Sequence, residues 1–341
     1  MTLPQTPAPR KPRRLGLYVP LAVLLVVAAA WSGAWVWLRG EVMRRMEAAR
    51  GGGEGWRVDW TGAAVSGFPF RLDLDLTNAR LGEPSGWAVL APRLKAEAFV
   101  FAPTHWVAVA PDGVVLTRRR GGAIIVTAKV LRASLSGLGE HPPRLSVEGL
   151  GLRFSTPPGA KPIFVTAAAG LHLHSRAGPG DQGAIFIELD QASARLSGLM
   201  GRIAGGRPVN FTADALYSHA GEFSGPDWPG AARAWSAAGG EITVRRLRLA
   251  AGEAVFDSRA GSLSVGADGR LRGSLSVSLR QGPRALTSMG ESGGIAPEAA
   301  REAASVVGVN AAGPIATMSL DFQAGRTTLG PVALGSAPRI Y

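Results

Sequence analysis

The sequence predicts a mainly β protein: a single membrane-spanning helix near the N-terminus, then an antiparallel β-rich domain, a curved sheet or a sandwich, carrying two short helices. Three observations predict it. Leu15 to Leu38 reads LGLYVPLAVLLVVAAAWSGAWVWL without one ionisable side chain. From Trp56 onward, apolar residues recur with period two in short runs, as they do in strands with one buried face. Gly, Pro and Asp-Gly turn signals separate those runs about every ten residues, which describes an antiparallel meander rather than βαβ units.

As a helix, the 24-residue apolar run would extend about 36 Å, against a hydrocarbon core of roughly 30 Å. Arg10, Lys11, Arg13 and Arg14 precede it with no acidic residue before Leu38, and mixed charges follow. That asymmetry predicts a cytoplasmic N-terminus and a main domain on the far side. Trp31, Trp35 and Trp37 gather at the far end, where indoles favour a membrane interface. Ala28-Ala29-Ala30 also fits a signal-peptide cleavage site, but the run continues eight residues beyond it. Its lack of a polar face separates it from a buried helix of a soluble protein. Residues 1–14, Pro-rich and basic, read as a disordered cytoplasmic tail, and 15–38 as the transmembrane helix. Residues 39–53 read as a juxtamembrane helix and linker closed by Gly51-Gly52-Gly53, and 54–341 as the β-rich domain.

That domain opens on the alternation Trp56, Val58, Trp60. Ser66-Gly67-Phe68-Pro69-Phe70-Arg71 then leads into a strand with Leu72, Leu74 and Leu76 on one face and Arg71, Asp73, Asp75 and Thr77 on the other. Gly67 permits a sharp entry, and Pro69 sits where a strand start can spare an N–H. Further runs cover 93–101, 106–110, 113–117, 123–135, 144–154, 163–174 and 184–196, with Asp112-Gly113 and Asp268-Gly269 as hairpin turns. Asp227 is placed to cap a helix whose Trp228, Ala231, Ala232 and Trp235 share a face and which Gly239-Gly240 ends. Strands resume over 241–250 and 254–258, then a hairpin runs from Ser262 to Leu279. A second helix starts at Pro297, the favoured first helical position, and runs to about Val307. In the last strand Ala316, Met318, Leu320 and Phe322 face one way.

Composition narrows the chemistry. With no Cys the chain has no disulfide, thiolate metal site or Cys nucleophile. The charge of +12 is concentrated at the start: residues 1–50 hold eight of the 37 basic and two of the 25 acidic residues, leaving 29 against 23 over the rest. That density does not point to nucleic acid. Arg118-Arg119-Arg120 before Gly121-Gly122 reads as a solvated hairpin tip, with anionic head groups as the functional alternative.

Gly290-Glu291-Ser292-Gly293-Gly294 matches a nucleophile-elbow pattern, but the last His is His219, whereas the elbow requires a later His. His172 and His174 are two apart in a strand and point the same way, as metal ligands can. The third ligand would come from His141, Asp214 or His219, none tied in by spacing. Asp73 and Asp75 read as a solvated strand face. No catalytic or cofactor-binding set emerges.

The anchor, the Ser-Gly-Phe-Pro-Phe-Arg entry and the ending Ala324-Gly325-Arg326-Thr327-Thr328-Leu329-Gly330-Pro331-Val332 with Pro338-Arg339-Ile340-Tyr341 together resemble the bacterial domain-of-unknown-function family 2125. The motif residues Gly67, Phe68, Pro69, Phe70 and Arg71 are structural markers. More distantly, hairpins such as Gly261 to Leu279 resemble those of AsmA-type envelope proteins, which are anchored in the inner membrane and project β-rich grooves into the periplasm. The resemblance implies a bacterial inner-membrane protein with a periplasmic domain, while the lack of a catalytic set among the residues predicts no enzymatic activity and no cofactor. It would bind lipid or support envelope biogenesis, with an envelope protein as a further partner. A periplasmic scaffold for a protein partner is the alternative reading, and a hydrolase of unknown substrate, with Ser292, His172 and His174 as the residues to test, the third.

Overall fold

The computed structural model describes residues 15–52, 55–194, 207–251, 254–280, 287, 296–310, 315–330 and 332–341. Helix α1 runs Leu15–Ala49, so the apolar run and the juxtamembrane segment form one rod. Residues Tyr18–Ala49 are long and apolar enough to cross a membrane, and their most apolar stretch is almost bare of protein contacts. Gly51, at φ +79°, ends the rod and hands the chain to the sheet through a hydrogen bond from its N–H to the Val58 carbonyl.

Among the described residues eighteen strands follow: β1 (Arg57–Asp59), β2 (Gly62–Ser66), β3 (Arg71–Gly82), β4 (Ala88–Phe99), β5 (Ala102–Val109), β6 (Val114–Arg118), β7 (Gly122–Thr127), β8 (Val130–Ser136) and β9 (Arg144–Ser155). They continue as β10 (Val165–Ala177), β11 (Gln182–Ala194), β12 (Val209–Ser218), β13 (Glu241–Ala251), β14 (Ala254–Val265), β15 (Leu271–Arg280), β16 (Ile315–Gln323), β17 (Arg326–Leu329) and β18 (Val332–Ser336). Helix α2 (Trp228–Ala237) lies between β12 and β13, and α3 (Pro297–Asn310) between β15 and β16.

All these strands belong to one hydrogen-bonded sheet, and every ladder between them is antiparallel. From β9 to β18 each strand pairs with the next. Nearer the N-terminus β1 and β2 share the outer edge of β3. Strands β5 and β6 lie end to end along β4, and β7 and β8 end to end along β9. Each of these two pairs is one long strand with a break.

That arrangement corrects the hairpin expected at Asp112-Gly113. The dipeptide sits in the break between β5 and β6, which continue in the same direction along β4. Gly113 has φ +75°, and a Cβ there would stand 2.2 Å from the Val126 carbonyl oxygen. The glycine therefore serves the close approach of β7, not a reversal of the chain. Asp268-Gly269 does turn β14 into β15, with Gly269 N–H bonded to the Gly266 carbonyl at 2.8 Å. Arg118-Arg119-Arg120 leads into the β6–β7 tip as expected, and the Arg118 guanidinium turns back to the Gly121 and Lys161 carbonyls, both at 2.5 Å.

Helix α2 forms as its sequence predicts: Asp227 accepts a hydrogen bond from Gly230 N–H at 2.7 Å, and Ala231, Ala232 and Trp235 are buried. Trp228 shares the Phe223 ring with Trp235 but, at the start of the helix, stays exposed. Its backbone N–H meets the Glu83 carboxylate at 2.6 Å, and its indole donates to the Ile340 carbonyl at 3.1 Å. Through these bonds α2 ties the β3–β4 turn to the C-terminal segment. In α3 the small residues Ala300 and Ala303 are buried, and Ala303 packs among Leu275, Val277 and Phe322.

The core is divided into three clusters. One joins Trp35 of α1 to Trp60, Val65, Leu72, Leu74 and Leu76. A second contains Val126, Leu152, Ala168, Ala192 and Val209, and the third lies under α3. Leu72 is wholly buried, so Leu72→Ala is expected to cost about 2–5 kcal/mol, measurable as a lower urea midpoint in detergent. Replacing the cap, Asp227→Ala, should cost about 0.5–2 kcal/mol in the same assay.

Candidate functional site

Residues directly opposite on antiparallel strands share a face, which lets one row of side chains be followed across the sheet. It runs Leu74, Ala96, Ala108, Ala133, Val147, Leu173, Ile187, Ala213, Leu247, Ser258, Val277, Met318, each paired with the next. Apart from Ser258 the row is apolar. Near its start the α1 cluster takes in Leu74 and Ala96, and near its end the α3 cluster takes in Val277 and Met318. Between them Ala133, Val147, Leu173, Ile187 and Ala213 are half-buried and belong to none of the three clusters. The adjacent row adds Leu171, Leu189, Phe211 and Leu249, also half-buried, of which Leu171, Leu189 and Leu249 pack against the second cluster. The result is an apolar lane along the middle of one sheet face.

The opposite face carries the polar candidates. Ser134, Ser146, His174, Phe186 and Asp214 are paired across it in that order and line a trough of about 1040 Å³ rimmed by Arg144, Arg176 and Arg245. His174 Nδ1 lies 2.5 Å from Ser146 Oγ, and its ring stacks on Phe186 at 6.0 Å and on His172 at 6.3 Å. His172 stands opposite Glu188 on β11 and Glu148 on β9. Candidate ligand atoms of His172, Glu188 and Asp190 lie within 4.8 Å of one another.

The two histidines do point the same way, but only His172 joins an acidic group. His174 is taken up by Ser146, and Asp214 lies 4.0 Å from Arg245. His219 contacts Ser218 in the segment after β12. Glu188 and Asp190 were readable in principle: a hairpin reversing at Gly178-Pro179-Gly180 sets His172 opposite Glu188. Arg132 beside Glu148 donates at 2.6 Å and holds that carboxyl below its usual range. Burial raises the Tyr217 hydroxyl; its ring covers Gly183, where a Cβ would stand 2.2 Å from it.

Asp73 and Asp75 take part in an ion-paired belt: Arg71 meets Asp73 and Glu97 at 3.2 Å each, and Lys95 reaches Asp75 at 3.8 Å. Ser292 and its glycines lie outside the described residues.

The entry motif, by contrast, is a docking element. Gly67 adopts φ +99°, and Arg71 N–H closes the turn on the Gly67 carbonyl at 2.9 Å. Two tryptophans one helical turn apart on α1 grip it. Trp31 donates its indole N–H to the Pro69 carbonyl at 2.9 Å and lies 6.2 Å from the Phe70 ring. Trp35 donates to the Arg71 carbonyl at 2.8 Å and meets Phe68 edge-on at 5.5 Å. Sequence reading placed these tryptophans at a membrane interface without pairing them to the motif. Their four-residue spacing on a helix was the available signal.

No curated protein and no solved structure matches this chain. A family model described as an uncharacterized protein conserved in bacteria (DUF2125) matches residues 35–338, from Trp35 through the entry motif to the C-terminal segment. With its N-terminal apolar helix and its antiparallel sheet, the chain belongs to that family.

Proposed function

We propose that this chain is a non-enzymatic protein of the bacterial cell envelope, tethered by α1 in the inner membrane with its β domain in the periplasm, and that it binds lipid acyl chains along the apolar lane. The observation that carries this reading is the unbroken row from Leu74 to Met318, covered near its ends and half-exposed from Ala133 to Ala213. A lane lined by Val, Leu, Ile and Ala offers an acyl chain no hydrogen bond, only exclusion of water. That suits an alkyl ligand, since each buried methylene contributes roughly 0.8 kcal/mol, and a segment of eight would gain about 6 kcal/mol before the cost of ordering. The AsmA-type resemblance supports the same plan, a membrane-anchored sheet presenting a lipid-sized groove. The proposal assigns no reaction to the polar face, where Asp73, Asp75, Glu148 and His174 already have partners within the fold.

The period of two supplies the test. A photo-crosslinking amino acid at Ile187 faces the lane, and one at Glu188 faces the opposite side. Irradiation of the full chain in its native membrane is expected to give lipid adducts by mass spectrometry at 187 and none at 188. Leu173→Glu should reduce the adduct at 187 several-fold while leaving expression intact, because the site is half-buried. Equal labelling at both positions, or a discrete protein adduct at 187 in place of lipid, would reject acyl-chain binding and favour the scaffold reading.

A further inference from the structure

The entry motif has a neighbour. The turn between β4 and β5 lies beside it: Arg71 pairs with Phe99, and Val100 N–H donates to the Phe70 carbonyl at 3.0 Å. The two turns present four phenylalanines together. Phe68, Phe70, Phe99 and Phe101 are 55%, 60%, 51% and 72% exposed, and Phe99 and Phe101 stack at 5.0 Å. Four exposed rings in two adjoining turns form an apolar patch that solvent alone does not account for.

The position of α1 says what meets them. Trp31, which touches Phe70, lies seven residues before Leu38, the last residue of the uncharged run. On a helix that is about 10 Å short of the run's end. Counted from Leu15, a hydrocarbon core of roughly 30 Å would reach Trp35, the residue that touches Phe68. The phenylalanine turns therefore sit level with the last stretch of helix that a bilayer would cover. Charge begins immediately beyond: Arg71 follows Phe70, Glu97 precedes Phe99 by two residues, and on the helix Arg39 follows Leu38. Charge on the turn begins at Arg71, whose carbonyl Trp35 holds, about 6 Å before the helix's own first charge at Arg39. Aromatic rings favour the boundary between acyl chains and head groups.

We infer that the turns Gly67–Phe70 and Phe99–Phe101 form an aromatic foot that enters the acyl–head-group boundary of the same bilayer α1 crosses. This inference rests on α1 being a membrane span, though not on lipid binding in the lane. The foot gives the domain a second point of membrane contact and so sets how the packed unit of α1 and sheet stands against the bilayer.

The absence of native Cys makes the test clean. Single-cysteine variants Phe101→Cys, Val27→Cys and Arg259→Cys are spin-labelled in the full chain, reconstituted in 3:1 phosphatidylcholine–phosphatidylglycerol vesicles. Collision with oxygen, which concentrates in the bilayer, is compared with collision with a water-soluble nickel complex. All three side chains are exposed, so labelling spares the fold. The expected result is an oxygen-to-nickel ratio at 101 at least several-fold above that at 259 and below that at 27. A ratio at 101 equal to that at 259, with 27 still in the bilayer, would overturn the foot and leave the anchor standing. A water-exposed label at 27 would overturn the anchor and the foot with it.

Discussion

The architecture depends on one constraint, the two-residue period of side chains carried from strand to strand by antiparallel register. A slip of one residue at any ladder would send every later apolar side chain to the other face. Irregularities do occur, between Glu97 and Phe99, Leu189 and Ala192, Asp214 and Ala215, and Ser258 and Ala260. Each is local, and the row from Leu74 to Met318 passes through. The breaks between β5 and β6 and between β7 and β8 are the largest disturbance, and they face one another. Ala110 N–H bonds across to the Leu131 carbonyl, and Lys129 N–H to Leu150, so both defects close on backbone partners and the register resumes.

Holding one apolar face along so wide a sheet creates a covering problem. Helix α1 covers part of the beginning and α3 part of the end, while the second buried cluster forms around Val126, Leu152 and Ala168. Three separate clusters take the place of one continuous core. The stretch between them, centred on Leu173 and Ile187, is where the fold keeps apolar surface half-covered. On the opposite face cross-strand ion pairs such as Arg132–Glu148 and Lys95–Asp75 join neighbouring strands.

The junction of α1 with the sheet is built from groups that suit a nonpolar setting. Trp31 and Trp35 each satisfy their only polar group on a backbone carbonyl and offer the remaining ring to a phenylalanine. Away from water such hydrogen bonds are stronger and leave no unpaired donor. Helix and sheet therefore meet as one packed unit at the level of the uncharged run, and the short connection through Gly51 and Gly52 does not have to set their relation alone.

The local elements are legible in the amino-acid order alone, because each depends on neighbours close in the chain. The uncharged length of α1, the alternation of Leu72, Leu74 and Leu76, and the Asp227 cap before Ala231, Ala232 and Trp235 all rest on rises, periods and caps that operate within a few residues. Asp112-Gly113 does not make the hairpin it suggests, because an Asp-Gly pair announces a glycine conformation, and whether the chain then reverses depends on β4 and β7 lying alongside. Likewise the spacing of His172 and His174 set their common face but not their partners: Ser146 and Glu188 arrive from β9 and β11. The lane and the phenylalanine foot belong wholly to tertiary structure. Each joins residues distant in sequence, and only the pairing of strands and the docking of α1 decide which side chains share a surface and which stay uncovered.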